Sequence, residues 1–201
     1  KPHSLIVEAI VKGGCRLVQL RDKSLSSKEL LEQAKESLLK TREFGALLII
    51  NDRVDIAKMS GADGVHLGQS DLSPEKARKL LGSNAIIGLS THSLEQALVA
   101  DNLPIDYIAV GPVYKTVTKP EASAGVESGS VGLELLREVK KRVTKPVVAI
   151  GGITLERVSE LAVTEVSSVA VISDLLSKGN ITERTSQYVT KLESLSKLRR
   201  V

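Results

Sequence analysis

The stretch Tyr107-Ile108-Ala109-Val110-Gly111-Pro112-Val113-Tyr114-Lys115-Thr116-Val117-Thr118-Lys119 joins a short apolar run to a turn that is rich in hydroxyl groups and lysines. Apolar residues without polar alternation are typical of a strand that is buried on both faces. Thr116 and Thr118 lie two residues apart, so their hydroxyl groups point the same way in extended backbone. Together with the Lys119 ammonium they suit a phosphate or diphosphate, although a solvated loop is the alternative.

The same pattern of an apolar run followed by a polar turn recurs along the chain. Seven apolar runs are present: Leu17–Leu20, Ala46–Ile50, Gly64–Leu67, Ala85–Leu89, Tyr107–Val110, Pro146–Ile150 and Ser168–Ile172. Amphipathic stretches lie between them, and this alternation predicts an α/β fold with a parallel sheet. Units of about 20 to 40 residues favour a (βα)8 TIM barrel over a doubly wound open sheet.

Seven runs leave such a barrel one strand short. Residues 4–12 have the apolar spacing of a helix and end at Gly13-Gly14, so we expect the first strand to have preceded Lys1. No linker or low-complexity tract is visible, which predicts a single domain over residues 1–201. Because the chain starts at a lysine, a fusion to a further domain such as a kinase stays open.

Several helix boundaries can be predicted from capping residues. Pro74 after Ser73 predicts a helix that starts there, and Ser93 with Gln96 has the spacing of a capping box. Further helices are predicted over residues 26–43, 132–143 and 154–161.

Composition narrows the classes of partner. Aromatic residues make up only 2% of the 201 residues, which argues against a stacking platform for single-stranded nucleic acid. No apolar run approaches the roughly 18 residues of a membrane span. Cys15 is the single cysteine, which fits a reducing compartment. We therefore expect a cytoplasmic protein without nucleic-acid or membrane partners, and a homo-oligomer stays open.

Polar residues or glycines follow nearly every apolar run. In a parallel barrel the carboxyl ends of the strands converge on the face that carries the active site. Any one of these residues could simply cap the following helix, as Asp71, Ser93, Thr154 or Asp174 could. Together they predict a site for a charged ligand, and they include Gln19, Arg21, Lys23, Asn51, Asp52, Asp71, Ser90, His92, Thr116, Thr118, Lys119, Gly151, Gly152 and Ser173.

Two features of this set suggest phosphorylated substrates and a metal ion. Asp52 and Asp71 follow adjacent strands, and a pair of carboxylates suits Mg²⁺ that also binds water and phosphate oxygens. Gly151-Gly152 allows the backbone to approach a phosphate, with amide donors at the start of a following helix. His92 is the histidine best placed for acid–base chemistry.

Six motifs in this order resemble those of the thiamine-phosphate synthase family. The resemblance extends from about Lys12 to Ser177, and the combination of Thr-x-Thr-Lys with Gln-x-Arg-x-Lys is its most specific part. The motifs are Gln19–Lys23, Asn51–Arg53, Gly64–Leu72, Gly88–Ser93, Gly111–Lys119 and Ala149–Ile153.

The resemblance implies a transferase that joins a pyrimidine diphosphate to a thiazole phosphate and releases diphosphate. By that analogy Asp52 and Asp71 bind Mg²⁺, and Ser90 and Lys119 serve the pyrimidine and diphosphate region. The diphosphate substrate is held by Gln19, Arg21, Lys23 and Asn51. The thiazole phosphate is bound by Thr116, Thr118, Gly152, Ile172 and Ser173. The groups assigned to catalysis are Arg21, Lys23, Lys119 and Ser90.

Two alternatives share the barrel. A relative that acts as a thiazole tautomerase would transfer a proton without coupling, and His92 could serve it. A non-catalytic phosphate-binding barrel is the other alternative. The Thr116–Lys119 loop, together with Asp52 and Asp71, favours the synthase over the tautomerase. The missing first strand is the one feature that supports the non-catalytic barrel.

Overall fold

The computed structural model describes residues 2–116, 130–177 and 179–198, with side chains as far as residue 195. Strands and helices alternate along these residues. The strands are β1 Leu17–Leu20, β2 Leu47–Asn51, β3 Gly64–Leu67, β4 Ile86–Thr91, β5 Tyr107–Val110, β6 Val147–Ile150 and β7 Ser168–Ala170. The helices are α1 His3–Lys12, α2 Ser27–Glu43, α3 Val54–Ser60, α4 Pro74–Leu81, α5 Leu94–Asp101, α6 Gly132–Arg142, α7 Val158–Leu161, α8 Ser173–Ser177 and α9 Ile181–Leu198.

The chain forms two compact units. The first consists of Lys1–Ile87 together with Asn180–Val189, and the second of Gly88–Gly179 together with Thr190–Val201. Each unit contains strands, the helices that follow them and a part of α9.

In the first unit, β1, β2 and β3 form parallel ladders in sequence order. Leu17 pairs with Leu47 in the first ladder, and Ile49 pairs with Gly64 in the second. β2 and β3 are almost wholly buried, as the apolar runs predicted. Gly64 permits a close approach of backbone, since a Cβ there would lie 1.9 Å from the carbonyl oxygen of Ile86.

β1 differs from the prediction that the runs are buried on both faces. Leu17 and Gln19 are exposed, while Val18 and Leu20 are buried. Val18 packs with Val7 and Val11 of α1 in one apolar cluster. Among the described residues of its unit β1 has a ladder partner, β2, on one side alone, so it is an edge strand there. Leu17 and Gln19 lie on the face opposite Val18.

In the second unit, β4, β5, β6 and β7 are also parallel and follow sequence order. Gly88 pairs with Tyr107, Ile108 with Val147, and Val148 with Ser168. β7 ends at Ala170, two residues before the predicted end of its apolar run.

The capping predictions are confirmed in part. Ser73 caps α4, with Pro74 in its first turn. Ser93 caps α5 by accepting a hydrogen bond from the backbone N–H of Gln96. The second bond of the predicted capping box is wrong. A capping box requires the Gln96 side chain to accept from the backbone N–H of Ser93, whereas it accepts from that of His92 at 2.7 Å.

The predicted helix over residues 154–161 is wrong at its start. The backbone N–H of Arg157 donates to the carbonyl oxygen of Thr154 at 3.0 Å, which closes a turn. α7 therefore spans Val158–Leu161 alone, and Thr154 does not act as its N-cap. Asp174 is likewise buried within α8 and does not precede it.

The α/β class and the parallel strands are confirmed. Closure into a (βα)8 barrel and a single domain over residues 1–201 stay predictions. Within residues 2–116, 130–177 and 179–198, none of the helices combines the length and apolarity needed to cross a membrane.

Candidate active site

The segment after β1 carries two of the predicted cations and is ordered by a carboxylate between them. Asp22 accepts hydrogen bonds from the backbone N–H and the hydroxyl of Ser24, at 2.8 and 2.6 Å. Its second oxygen lies 3.1 Å from Nε2 of His3 in α1. The hydrogen bonds from Ser24 hold the pKa of Asp22 below its usual range, and His3 adds to the effect. The turn that carries Arg21 and Lys23 is thereby fixed next to α1.

β2 ends in a strained turn at Asn51-Asp52-Arg53. Asp52 has φ +60°, a left-handed conformation that aspartate adopts more readily than most residues. Its backbone N–H donates to the carbonyl oxygen of His66 at 2.8 Å, and the N–H of Arg53 donates to that of Asn51 at 2.7 Å. These bonds tie the turn to the neighbouring strand β3, in which His66 is buried.

Arg53 is directed away from this strand end. Its guanidinium forms two hydrogen bonds with the carboxylate of Asp55 in α3, and one with the Ser27 hydroxyl in α2 at 3.0 Å. The paired guanidinium lowers the pKa of Asp55. Arg53 is therefore a structural residue of the helix layer.

Asp71 follows β3 in a short turn. Its Oδ2 accepts from the backbone N–H of Gly68 at 2.6 Å, and its own N–H donates to the Gly68 carbonyl at 3.3 Å. One carboxylate oxygen orders the turn, while the side chain stays partly accessible.

The carboxylates at the ends of β2 and β3 fit Mg²⁺ by the chemistry of their oxygen atoms. In the part of the chain that the structure describes, no three His, Cys, Asp or Glu side chains are grouped to hold a metal ion by themselves. Mg²⁺ keeps several waters and is commonly bound through one or two carboxylates together with substrate phosphates. Asp52 and Asp71, which follow paired strands, match that smaller set of protein ligands.

A groove of about 420 Å³ adjoins Asp52 on the side of α3 and α4. Its lining includes Val54, Met59, Leu72 and Leu80. The remaining lining residues are charged, so the groove joins apolar surface to a strand end that is predicted to bind a metal ion; they are Asp52, Arg53, Asp55 and Lys58.

In the second unit, β4 ends in Ser90 and Thr91, and His92 follows it. Ser90 and Thr91 are buried, and the Thr91 hydroxyl donates to the carbonyl oxygen of Ala109 at 3.1 Å. Nδ1 of His92 lies 2.6 Å from the carbonyl oxygen of Gly111. A carbonyl only accepts hydrogen bonds, so Nδ1 carries the proton in this contact.

The turn after β5 is packed tightly against the end of β6. The backbone N–H groups of Val113 and Tyr114 donate to the carbonyl oxygens of Ile150 and Gly151, at 2.9 and 3.1 Å. Gly152 has φ +65°, and a Cβ there would lie 2.8 Å from backbone oxygens of Tyr114 and Lys115. Gly152 is therefore required by this backbone contact.

Thr116 is half-buried and belongs to a loop whose two ends are joined. The N–H of Val131 donates to the carbonyl of Pro112 at 2.8 Å, and that of Gly132 to the carbonyl of Val113 at 3.2 Å. Thr118 and Lys119 lie outside the described residues. Of the remaining residues predicted here, Ile172 and Ser173 are exposed after β7.

Sequence reasoning missed one cluster near Gly152. The Arg157 guanidinium carbon lies 4.4 Å from the centre of the Tyr114 ring, and Nη1 donates to the Gly152 carbonyl at 2.8 Å. The Tyr114 hydroxyl donates to Glu160 at 3.0 Å. Burial, followed by the Glu160 contact, raises the pKa of Tyr114 to about 12. No spacing signal reveals this cluster, because the turn at Thr154–Arg157 creates it.

Residues 3–175 match the family described as thiamine monophosphate synthase. The chain belongs to this family. The family predicted from the six motifs is thereby confirmed. The matched residues contain strands β1 to β7 and so include parts of both units.

Relatives named thiamine-phosphate synthase support the same family. The one from Persephonella marina is 42% identical over 190 residues, which are 94% of this chain and 88% of that protein. The one from Clostridium acetobutylicum is 44% identical over 178 residues, which are 89% of this chain and 82% of that protein.

Two solved structures are similar to this chain. Thiamine phosphate pyrophosphorylase from Pyrococcus furiosus is 35% identical with a TM-score of 0.87, covering 97% of this chain and 91% of that one. N-(5'-phosphoribosyl)anthranilate isomerase from Pyrococcus furiosus is 17% identical, covers 94% of each chain and has a TM-score of 0.67. At that identity the second likeness shows the fold alone.

Proposed function

We propose that this chain is a transferase that couples a pyrimidine diphosphate to a thiazole phosphate, giving thiamine phosphate and diphosphate. One observation carries the proposal beyond the family. The paired strands β1, β2 and β3 end in two cations, an amide and two carboxylates, and these are the groups that a diphosphate with a metal ion requires. Membership of the family makes enzymatic activity on small phosphorylated substrates the expected outcome.

The first unit is proposed to bind the diphosphate substrate. Arg21 and Lys23 supply positive charge for its oxygens, with Gln19 and Asn51 as neutral hydrogen-bonding groups. Asp52 and Asp71 would hold Mg²⁺, which neutralises negative charge on a departing diphosphate when it is bound. Asp22 takes part indirectly, because its bonds to Ser24 and His3 order the turn that carries both cations.

The second unit is proposed to bind the thiazole phosphate. Thr116 and Thr118 donate hydroxyl hydrogen bonds, and Gly152, Ile172 and Ser173 bring backbone and a further hydroxyl to the same phosphate. Ser90 and Lys119 serve the pyrimidine and its diphosphate. The support is the exposure of Ile172 and Ser173, the half-buried Thr116, and the close packing of Gly152 on the Thr116 loop.

The reaction needs no nucleophilic side chain, because the thiazole nitrogen attacks the carbon that loses diphosphate. The C–O bond to diphosphate breaks, and its electron pair leaves with the diphosphate. Arg21, Lys23 and Lys119 stabilise the negative charge that grows there, which is where fixed charges lower a barrier most. The new C–N bond forms at the pyrimidine-stabilised carbon.

His92 is proposed to position the backbone at Gly111. Its Nδ1 hydrogen bond to Gly111 supports the start of the Thr116 loop. The carboxylates Asp52 and Asp71 favour the synthase over the tautomerase, in which His92 would move a proton through Nε2. Barrel closure, a single domain, the cytoplasm and any homo-oligomer stay predictions.

The test supplies the protein with both substrates and Mg²⁺ in deuterated water. The proposal predicts thiamine phosphate and diphosphate in equal amounts. A tautomerase would instead place deuterium in the thiazole phosphate without coupling, and a non-catalytic barrel would change neither substrate. Either of these results would contradict the proposal.

A further inference from the structure

Arg157 contacts two of the segments that are proposed to bind the thiazole phosphate, the turn after β6 and the loop after β5. Its guanidinium donates to the Gly152 carbonyl at 2.8 Å and lies over the Tyr114 ring at 4.4 Å. Gly152 belongs to the glycine pair after β6, and Tyr114 precedes Thr116 by two residues. One side chain of the second unit thus joins the glycine turn to the hydroxyl-bearing loop.

The contact with Gly152 fixes a peptide plane. A peptide group is planar, so a guanidinium that holds the carbonyl of Gly152 also sets the direction of the N–H that follows it. A carbonyl that accepts a charged hydrogen bond is polarised, which makes the same peptide a better donor. The orientation of backbone donors at this turn therefore depends on Arg157.

The contact with Tyr114 holds the second element. A guanidinium over an aromatic face is attracted by the ring quadrupole. Glu160 accepts the Tyr114 hydroxyl bond at 3.0 Å, which keeps the ring in one orientation. Arg157 itself is half-buried and is brought back toward Gly152 by the turn at Thr154.

We propose that Arg157 is a positioning residue that sets the affinity for the phosphate monoester of the thiazole substrate. It acts through the Gly152 carbonyl and the Tyr114 ring, which it holds in the geometry that a phosphate requires. This inference rests on the proposed function for the identity of the ligand. The effect of Arg157 should fall mainly on one substrate, because most of the residues proposed for the pyrimidine diphosphate belong to the first unit. These are Gln19, Arg21, Lys23 and Asn51, whereas Ser90 and Lys119 belong to the second unit.

The test measures binding of each substrate separately by titration calorimetry, which needs no turnover. Loss of a charged hydrogen bond predicts that Arg157→Ala weakens thiazole phosphate binding about tenfold or more. Binding of the pyrimidine diphosphate should change less than about twofold. In steady-state assays the same variant should raise KM for thiazole phosphate more than it lowers kcat.

Two further variants separate positioning from charge and from folding. Arg157→Lys keeps the positive charge but loses the planar donor fork and the stacking surface, so weak binding should persist. Arg142→Ala is the matched control, since Arg142 forms an ion pair with Glu138 at 3.6 Å on the surface of α6. It should bind both substrates as the parent protein does, and all variants should be compared by their melting temperatures.

Restored binding in Arg157→Lys would overturn the inference, because the residue would then act through its charge alone. An equal loss of affinity for both substrates in Arg157→Ala would overturn it as well, as would unchanged binding of thiazole phosphate. A parent protein that binds thiazole phosphate through Arg157 but forms no product would contradict the proposed function instead.

Discussion

Asp52 combines a strained backbone with a proposed role in metal binding. Its φ of +60° places the carboxylate at the end of β2, and its N–H is bonded to His66 of β3. Such strain costs free energy and persists where the surrounding structure holds the residue in place. The left-handed backbone conformation of Asp52 therefore determines the position from which its side chain extends.

We therefore expect Asp52→Asn to lower turnover on the order of 10²-fold, because an amide replaces an anionic ligand and the leaving group loses charge stabilisation. The same loss is expected for Lys119→Ala, in which a proposed contact to the leaving group is removed. Single-turnover product formation is the measurement. Asp55→Asn is the control for the first variant, since Asp55 pairs with Arg53 in the helix layer.

Gly152 provides a second prediction at the scale of one residue. A Cβ at Gly152 would lie 2.8 Å from two backbone oxygens, whereas none of the described residues places an atom within 4 Å of one at Gly179, which has a comparable φ of +76°. Gly152→Ala should therefore lower the free energy of unfolding by at least about 1 kcal/mol more than Gly179→Ala. Urea denaturation of both variants measures the difference, and equal losses would contradict the packing.

Among the elements, α2 begins with a capping box that was not predicted from the sequence. The Ser26 hydroxyl lies 3.3 Å from the backbone nitrogen of Glu29, and the Glu29 carboxylate accepts from the backbone N–H of Ser26 at 2.9 Å. These bonds satisfy two donors at the helix start. α2 follows the segment that carries Arg21 and Lys23, so the cap at Ser26 marks the end of that segment.

Ser26→Ala should destabilise the protein by about 1 kcal/mol, because it removes the hydroxyl that accepts from the backbone N–H of Glu29 and donates to the Glu29 carboxylate. Chemical denaturation is the measurement, with Ser83→Ala in an exposed turn as the control. A loss no larger than that of the control would show that the box contributes nothing.

The elements also show what could be predicted from sequence. β2, β3 and β5 follow from continuous apolar runs, and the caps at Ser73 and Ser93 follow from local spacing, because burial and capping are decided within a few residues. α7 could not be placed in this way, since the turn at Thr154–Arg157 competes with the helix. The contact of Arg157 with Tyr114 joins residues far apart in sequence and depends on that turn.

At the scale of the whole molecule, most of the proposed binding groups for each substrate belong to one compact unit, although Ser90 and Lys119 of the second unit are also assigned to the pyrimidine diphosphate. The ends of β1 to β3 carry the cations and carboxylates that suit a diphosphate with Mg²⁺. The turns after β5 and β6 carry the hydroxyl groups and glycines that suit a phosphate monoester. The family match over residues 3–175 includes both sets, which is what a reaction between two phosphorylated substrates requires.

The most direct test of this account is a single-turnover reaction with the protein in excess over the pyrimidine diphosphate and with thiazole phosphate present. It is run once with Mg²⁺ and once with a chelator. We predict that thiamine phosphate and diphosphate appear together in equal amounts with Mg²⁺, and that both are reduced on the order of 10²-fold or more with the chelator. No coupled product with Mg²⁺, or the same rate with the chelator, would contradict the account.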